Sequence, residues 1–183
     1  TTNWYHCLVA FDTTQSTAND RIKIYINGSQ VTNFDVINNF GQNEEPVFGA
    51  NNEHRIGKDF SAGSTRDIDG YLSEVNYVNG LALTPSSFGE FKNGVWIPKQ
   101  YTGSYGTNGF RLEFKNTSVG SGSSSTIGAD TSGNGNHFTS TNVVASDCNM
   151  PDSPENNFAN FSQLNSNTNS TLSEGGLKAL MGG

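Results

Sequence analysis

Apolar and polar positions alternate along the first hundred residues in short runs broken by Gly, Asn and Asp, a pattern of strands and turns. Residues 4–11, Trp-Tyr-His-Cys-Leu-Val-Ala-Phe, are apolar or aromatic without interruption and predict a strand covered on both faces. After a polar loop over 12–20, Arg21-Ile22-Lys23-Ile24-Tyr25-Ile26 alternates and puts the three isoleucines on one face. Asn27-Gly28 follows, a dipeptide suited to the type I′ hairpin turn because both residues accept positive φ, and Gln30-Val31-Thr32 begins the return strand. Beyond a loop over 38–46, short strands are predicted at 47–49 and 54–57. A longer one is predicted at 70–78, closed by Asn79-Gly80. Thr84-Pro85, with Ser87 and Glu90 at capping-box spacing, predicts a helix of one or two turns, shortened by Gly89. Residues 110–114 form the last clear alternating strand, with minor ones at Phe138 and Val143-Val144.

Composition divides the chain. From Asn116 onward more than half the residues are Gly, Ser, Asn or Thr, and Lys178 is the only basic one. Such a segment buries too little apolar area to offset an ordering cost of about 1–2 kcal/mol per residue. The expected organisation is a β-domain over 1–95, a connecting segment with short strands over 96–145, and an extended polar tail over 146–183. The tail is expected to be held by sister subunits or a neighbouring protein. The hydrophobic fraction is 33% and the net charge −7, with no Lys/Arg cluster. Phosphate neutralisation on nucleic acid is therefore not expected. No apolar run approaches the roughly 18 residues that span a bilayer, and no secretion signal is visible. Cys7 and Cys148 are expected to be two unpaired thiols, with a disulfide between them as the alternative, and the sequons at Asn27, Asn116 and Asn169 are ordinary for a chain this rich in Asn, Ser and Thr.

The order of several elements carries a resemblance. Trp4 with its strand, Asp12, Ile24-Tyr25-Ile26-Asn27-Gly28, Arg55-Ile56-Gly57, Asp69-Gly70-Tyr71-Leu72-Ser73-Glu74-Val75 and Leu83-Thr84 together resemble the C-terminal half of a laminin-G-like jelly roll, within the concanavalin-A-like lectin/glucanase fold. The match covers about residues 3–92. Residues 96–110 and Asp152-Ser153-Pro154-Glu155-Asn156-Asn157-Phe158 look like segments of large marine-phage structural proteins. The resemblance implies an all-β antiparallel sandwich, incomplete at its N-terminus, in a fragment of a longer virion protein. It also implies a phage tail-fibre or appendage location, other virion proteins and sister subunits as partners in a homo-oligomer such as a trimer, and a lectin-like role in attachment to host-surface polysaccharide. A purely structural decoration role is the alternative. A half-sandwich exposes unpaired edges. Either a partner supplies the missing strands, or residues 110–114 and 130–138 pair back onto residues 4–78.

Candidate chemistry is sparse. Glucanases of this fold place carboxylates as Glu-x-Asp-x-x-Glu on one strand, about 5–5.5 Å apart in the retaining mechanism. That string is absent, Asp67 and Asp69 standing five or more residues from Glu74, so no enzyme is expected. Calcium is the one cofactor the acids suggest, through Asp69 with Asp12 and Asp20, or through Asp130 with Asn134 and Asn136. The latter run lacks the acidic twelfth ligand, where Thr141 stands, and a tight turn is its alternative meaning. His6, His54 and His137 lack metal-ligand spacing. Tyr101, Tyr105 and Phe60, set among Gly, Ser and Thr, are candidates for stacking on sugar rings or for anchoring subunit contacts.

Overall fold

The computed structural model describes residues 4–35, 38–47, 52–59, 67–148 and 154, together with the backbone of two short C-terminal strands. Phe60 and most of the polar tail lie outside the described residues, as does part of the strand predicted at 47–49. Among the described residues the chain is all antiparallel β. Its only helical pieces there are single 3-10 turns at Ala18–Asp20, Pro85–Ser87 and Ala145–Asp147. No helix among them is long and apolar enough to cross a membrane.

Three strands make the first sheet, in the order β1 (Cys7–Phe11), β2 (Ile22–Ile26), β3 (Ser29–Gln30). The predicted turn forms it: Asn27 and Gly28 adopt φ of 47° and 79°. The turn is locked to β1 in both directions, Asn27 N–H donating to the His6 carbonyl at 2.8 Å and His6 N–H to Asn27 Oδ1 at 2.8 Å. Register sets Cys7, Val9 and Phe11 opposite Ile26, Ile24 and Ile22. Directly opposed residues share a face, so one side of this sheet is apolar along both strands.

β4 (Val75–Tyr77) pairs with β7 (Phe110–Leu112), and between them in sequence β5 (Gly89–Lys92) and β6 (Val95–Pro98) form a hairpin. The pairing of Val75 with Leu112, Asn76 with Arg111 and Tyr77 with Phe110 resolves part of the edge problem. Residues 110–112 do pair back onto the predicted domain, and Asp130 adds a bridge to Leu112. The stretch beyond Asp130 instead folds onto residues 106–109. Near the C-terminus β8 (Ser170–Ser173) and β9 (Lys178–Met181) pair with each other, a hairpin the polar composition of the tail does not predict.

Other expectations shift. The strand predicted over 70–78 shrinks to Val75–Tyr77, paired with the three residues of β7; Tyr71 and Leu72 stay exposed. Residues 54–57 form no strand. The helix predicted after Thr84 is one 3-10 turn without a side-chain cap, and Glu90 serves in β5 instead.

The sheets are joined by a seam of rings. His6, just before β1, lies 5.5 Å from Trp96 on β6 and 6.4 Å from Phe88. Phe88 packs on Tyr101 at 5.2 Å, and Tyr101 meets Tyr105 edge-on at 5.2 Å. The Tyr105 hydroxyl then donates to Asn76 Oδ1 on β4 at 2.8 Å. Trp96 fills the space where a Cβ on Gly28 or Gly89 would stand, so both positions need glycine for close approach. Phe88, Tyr105, Leu112 and Ala129 are the buried hydrophobic side chains of this core.

Candidate functional site

The densest chemistry lies on the polar face of the β4–β7 pair. Alternation places Glu74, Asn76, Arg111 and Glu113 on that face, with Val75, Tyr77, Phe110 and Leu112 on the other. Arg111 is the hub. Its Nε donates to Glu74 Oε1 at 3.0 Å and a terminal nitrogen to Glu74 Oε2 at 3.4 Å. The same nitrogen lies 3.2 Å from Glu113 Oε1, which also takes Lys115 Nζ at 2.6 Å. The Arg111 side chain is 8% exposed against 17% for Glu113, so these charges sit largely out of water.

Glu113 and Asp130 are held in their charged form. Burial works to raise the Glu113 carboxyl, but hydrogen bonds from Lys115 and Thr131 and the charges of Arg111 and Lys115 outweigh it and hold it below the usual carboxylate range. Burial likewise opposes ionisation of Asp130, and three backbone N–H groups reverse it. Those bonds come from Arg111 at 2.9 Å and Ser132 at 2.8 Å to Oδ1, and from Asn136 at 2.8 Å to Oδ2. Asp130 is therefore a loop organiser: both oxygens accept from backbone, and its own N–H donates to His137 Nδ1 at 2.9 Å. Asn134 and Asn136, its companions in the suggested calcium loop, give their amide groups to the carbonyls of Gly106, Thr107 and Gly109.

The remaining acids are dispersed. Asp69 is exposed, Asp67 takes Lys58 Nζ at 2.9 and 3.0 Å, and Asp12 caps its own loop through Thr14 and Gln15. Among the described residues no three His, Cys, Asp or Glu side chains stand close enough to hold a metal ion. Cys7 and Cys148 are both free thiols.

The proposed stacking rings divide. Tyr105 is 8% exposed. Burial pushes its hydroxyl up to about 12, with the Arg111 charge opposing. Tyr101 is half-buried against Phe88 and Tyr105, its hydroxyl on the Ser104 carbonyl at 3.1 Å. Sequence reasoning missed Arg111 and Glu113, although a lone Arg two residues before a Glu, inside a Phe-to-Phe alternating run, was the available signal.

A different surface is more open. On the apolar side of the first sheet Tyr5 is 53% and Val9 48% exposed. Cys7 between them is exposed too, and the facing Ile24 and Ile26 are half-buried. Phe40 covers the Phe11 end of this face, their rings 5.9 Å apart, while the His6 side of β1 is covered by Trp96. Comparison with protein-family models, with curated proteins and with solved structures finds no match to this chain.

Proposed function

We propose that this chain is a non-enzymatic structural module of a phage virion appendage, an antiparallel jelly-roll piece that works by packing against sister copies of itself. The observation that carries this reading is β1. Its sequence suits a strand covered on both faces, yet Tyr5, Cys7 and Val9 stand open on one of them. Contiguous exposed apolar surface of this kind marks interaction sites. No charge or proline blunts residues 4–11, at the edge of their sheet. The order of motifs in the first ninety residues supports the jelly-roll and virion parts of the reading. The ion network around Arg111 supports a structural role for its carboxylates, since Glu74 and Glu113 are both held by the guanidinium and Glu113 sits below the usual carboxylate range.

Attachment to host-surface glycans is the second reading, and Tyr101 favours it, because part of its ring stays open beside Ser104. A glycan array at millimolar calcium tests it; a uniform blank with Tyr101 still accessible removes it. The assembly reading is tested by sedimentation velocity over micromolar concentrations. The wild-type chain is expected to sediment as an oligomer and Val9→Lys as a monomer. A wild-type chain that stays monomeric throughout contradicts it.

A further inference from the structure

Five Asn-Gly pairs lie in this chain, at 27–28, 79–80, 93–94, 108–109 and 134–135. In such a pair the backbone nitrogen after Asn can attack the carboxamide, because glycine sets no Cβ beside it. The fold ties four of the five down. Asn27 N–H donates to the His6 carbonyl and Asn27 Oδ1 accepts from His6 N–H, both at 2.8 Å, while the Trp96 ring covers Gly28. Asn79 N–H donates to the Tyr105 carbonyl at 2.9 Å, and its own carbonyl lies where a Cβ on Gly106 would stand. After Asn108 the nitrogen itself is engaged, Gly109 N–H donating to the Gly106 carbonyl at 3.3 Å. Asn134 Nδ2 donates to the Gly106 and Gly109 carbonyls at 2.6 and 2.8 Å.

The fifth pair is open. Asn93 and Gly94 make the turn between β5 and β6, both exposed, with φ of 51° and 81°. Nothing stands within 4 Å of the place a Cβ on Gly94 would take. Among the described residues no hydrogen bond holds the Asn93 carboxamide or the Gly94 N–H. Freeing this turn disturbs only the Lys92–Val95 end of the ladder, and exposed ends of this kind open at little cost.

We propose that Asn93 is a self-modification site, where the folded chain deamidates in water ahead of its other Asn-Gly pairs. The Gly94 backbone nitrogen gives its proton to hydroxide and attacks Asn93 Cγ. The new N–C bond closes a five-membered succinimide, the Cγ–Nδ2 bond breaks, and the nitrogen leaves as ammonia with a proton from solvent. Water then adds to either ring carbonyl and opens the ring to aspartate or isoaspartate. One amide and one water become one carboxylic acid and one ammonia, and no oxidant or reductant takes part. The isoaspartyl product runs the backbone through the former side chain and lengthens a two-residue turn. Phe91–Trp96 is the next pair in the ladder, so the misfit reaches the indole that meets His6. The site depends on this hairpin and not on the assembly reading.

Peptide mass spectrometry on the full chain, aged in mildly alkaline buffer with and without urea, tests this. Trypsin cuts after Lys92 and Lys99 and releases residues 93–99, in which Asn93 is the only asparagine. In the folded chain Asn93 is expected to gain the mass of deamidation at least about tenfold faster than Asn27 or Asn134, which must first break their hydrogen bonds. In urea the five rates should converge. The isoaspartyl chain, separated from the rest, is expected to melt below Asn93→Asp, which carries the same charge on a normal backbone. Asn27 or Asn134 keeping pace with Asn93 in the folded chain, the same ranking persisting in urea, or no reaction at Asn93 without urea would overturn the proposal. Equal melting of the isoaspartyl chain and Asn93→Asp would overturn its reach to Trp96.

Discussion

Arg111 stands between Glu74 and Glu113, 3.0 Å from one and 3.2 Å from the other, with only 8% of its own side chain exposed. Removing it leaves two poorly hydrated carboxylates facing one another. Arg111→Ala is expected to cost about 3 kcal/mol of folding stability, measured by urea denaturation, and Arg111→Met combined with Glu74→Gln and Glu113→Gln to cost much less. The account of the network fails if the triple variant is the less stable. His6 makes a separate pH prediction. Burial lowers its pKa from the ordinary 6.5, with Glu74 opposing, so the fold holds it neutral. A depressed histidine contributes stability that is complete above 6.5 and lost as pH falls below it. Glu113 and Asp130, both depressed, add a second loss on the way down through the carboxylate range. Thermal melting against pH should show two acid steps, with His6→Gln abolishing the upper one alone. None of this was legible from spacing: Glu74 and Arg111 are 37 residues apart and meet only because β4 finds β7.

Hairpins were legible where a turn dipeptide lay between alternating runs, and hidden where another pattern overlay it. Asn27-Gly28 announced β2 and β3. Asn93-Gly94 carries the same signal and the same positive φ values, 51° and 81°, between β5 and β6. There the Thr84-Pro85 start and the Ser87–Glu90 spacing pointed to a helix instead. Packing decides between them, since Trp96 must reach His6 and can do so only from a strand that lays its ring over Gly28 and Gly89. Gly28→Ala meets both a positive φ and the indole, and is expected to destabilise by more than about 1 kcal/mol. Gly94→Ala has positive φ but open space around it and should cost less. Equal losses in chemical denaturation would show that the Trp96 contact does not matter.

For the molecule, the sequence made the β class, the first hairpin and the apolar sheet face readable, because each depends on neighbours in sequence. It left open how the later half is used, which depends on pairing across long separations. Residues 110–112 complete a two-stranded sheet within the chain, so β4 finds its partner in the connecting segment. Among the described residues no strand covers the Tyr5, Cys7 and Val9 face, and the proposed assembly places a sister copy there.

Cys7 lies in the middle of that face and reports directly on whether it is covered. Cys148 serves as the internal reference, its thiol pushed up first by burial and then by the charge of Asp147. Alkylation of the two thiols, followed by mass spectrometry on the chain before and after dilution below its association range, is the most direct test. The account predicts that Cys7 is protected at high concentration and becomes reactive on dilution, while Cys148 reacts at one rate throughout. Cys7 that alkylates equally fast in both conditions would contradict it.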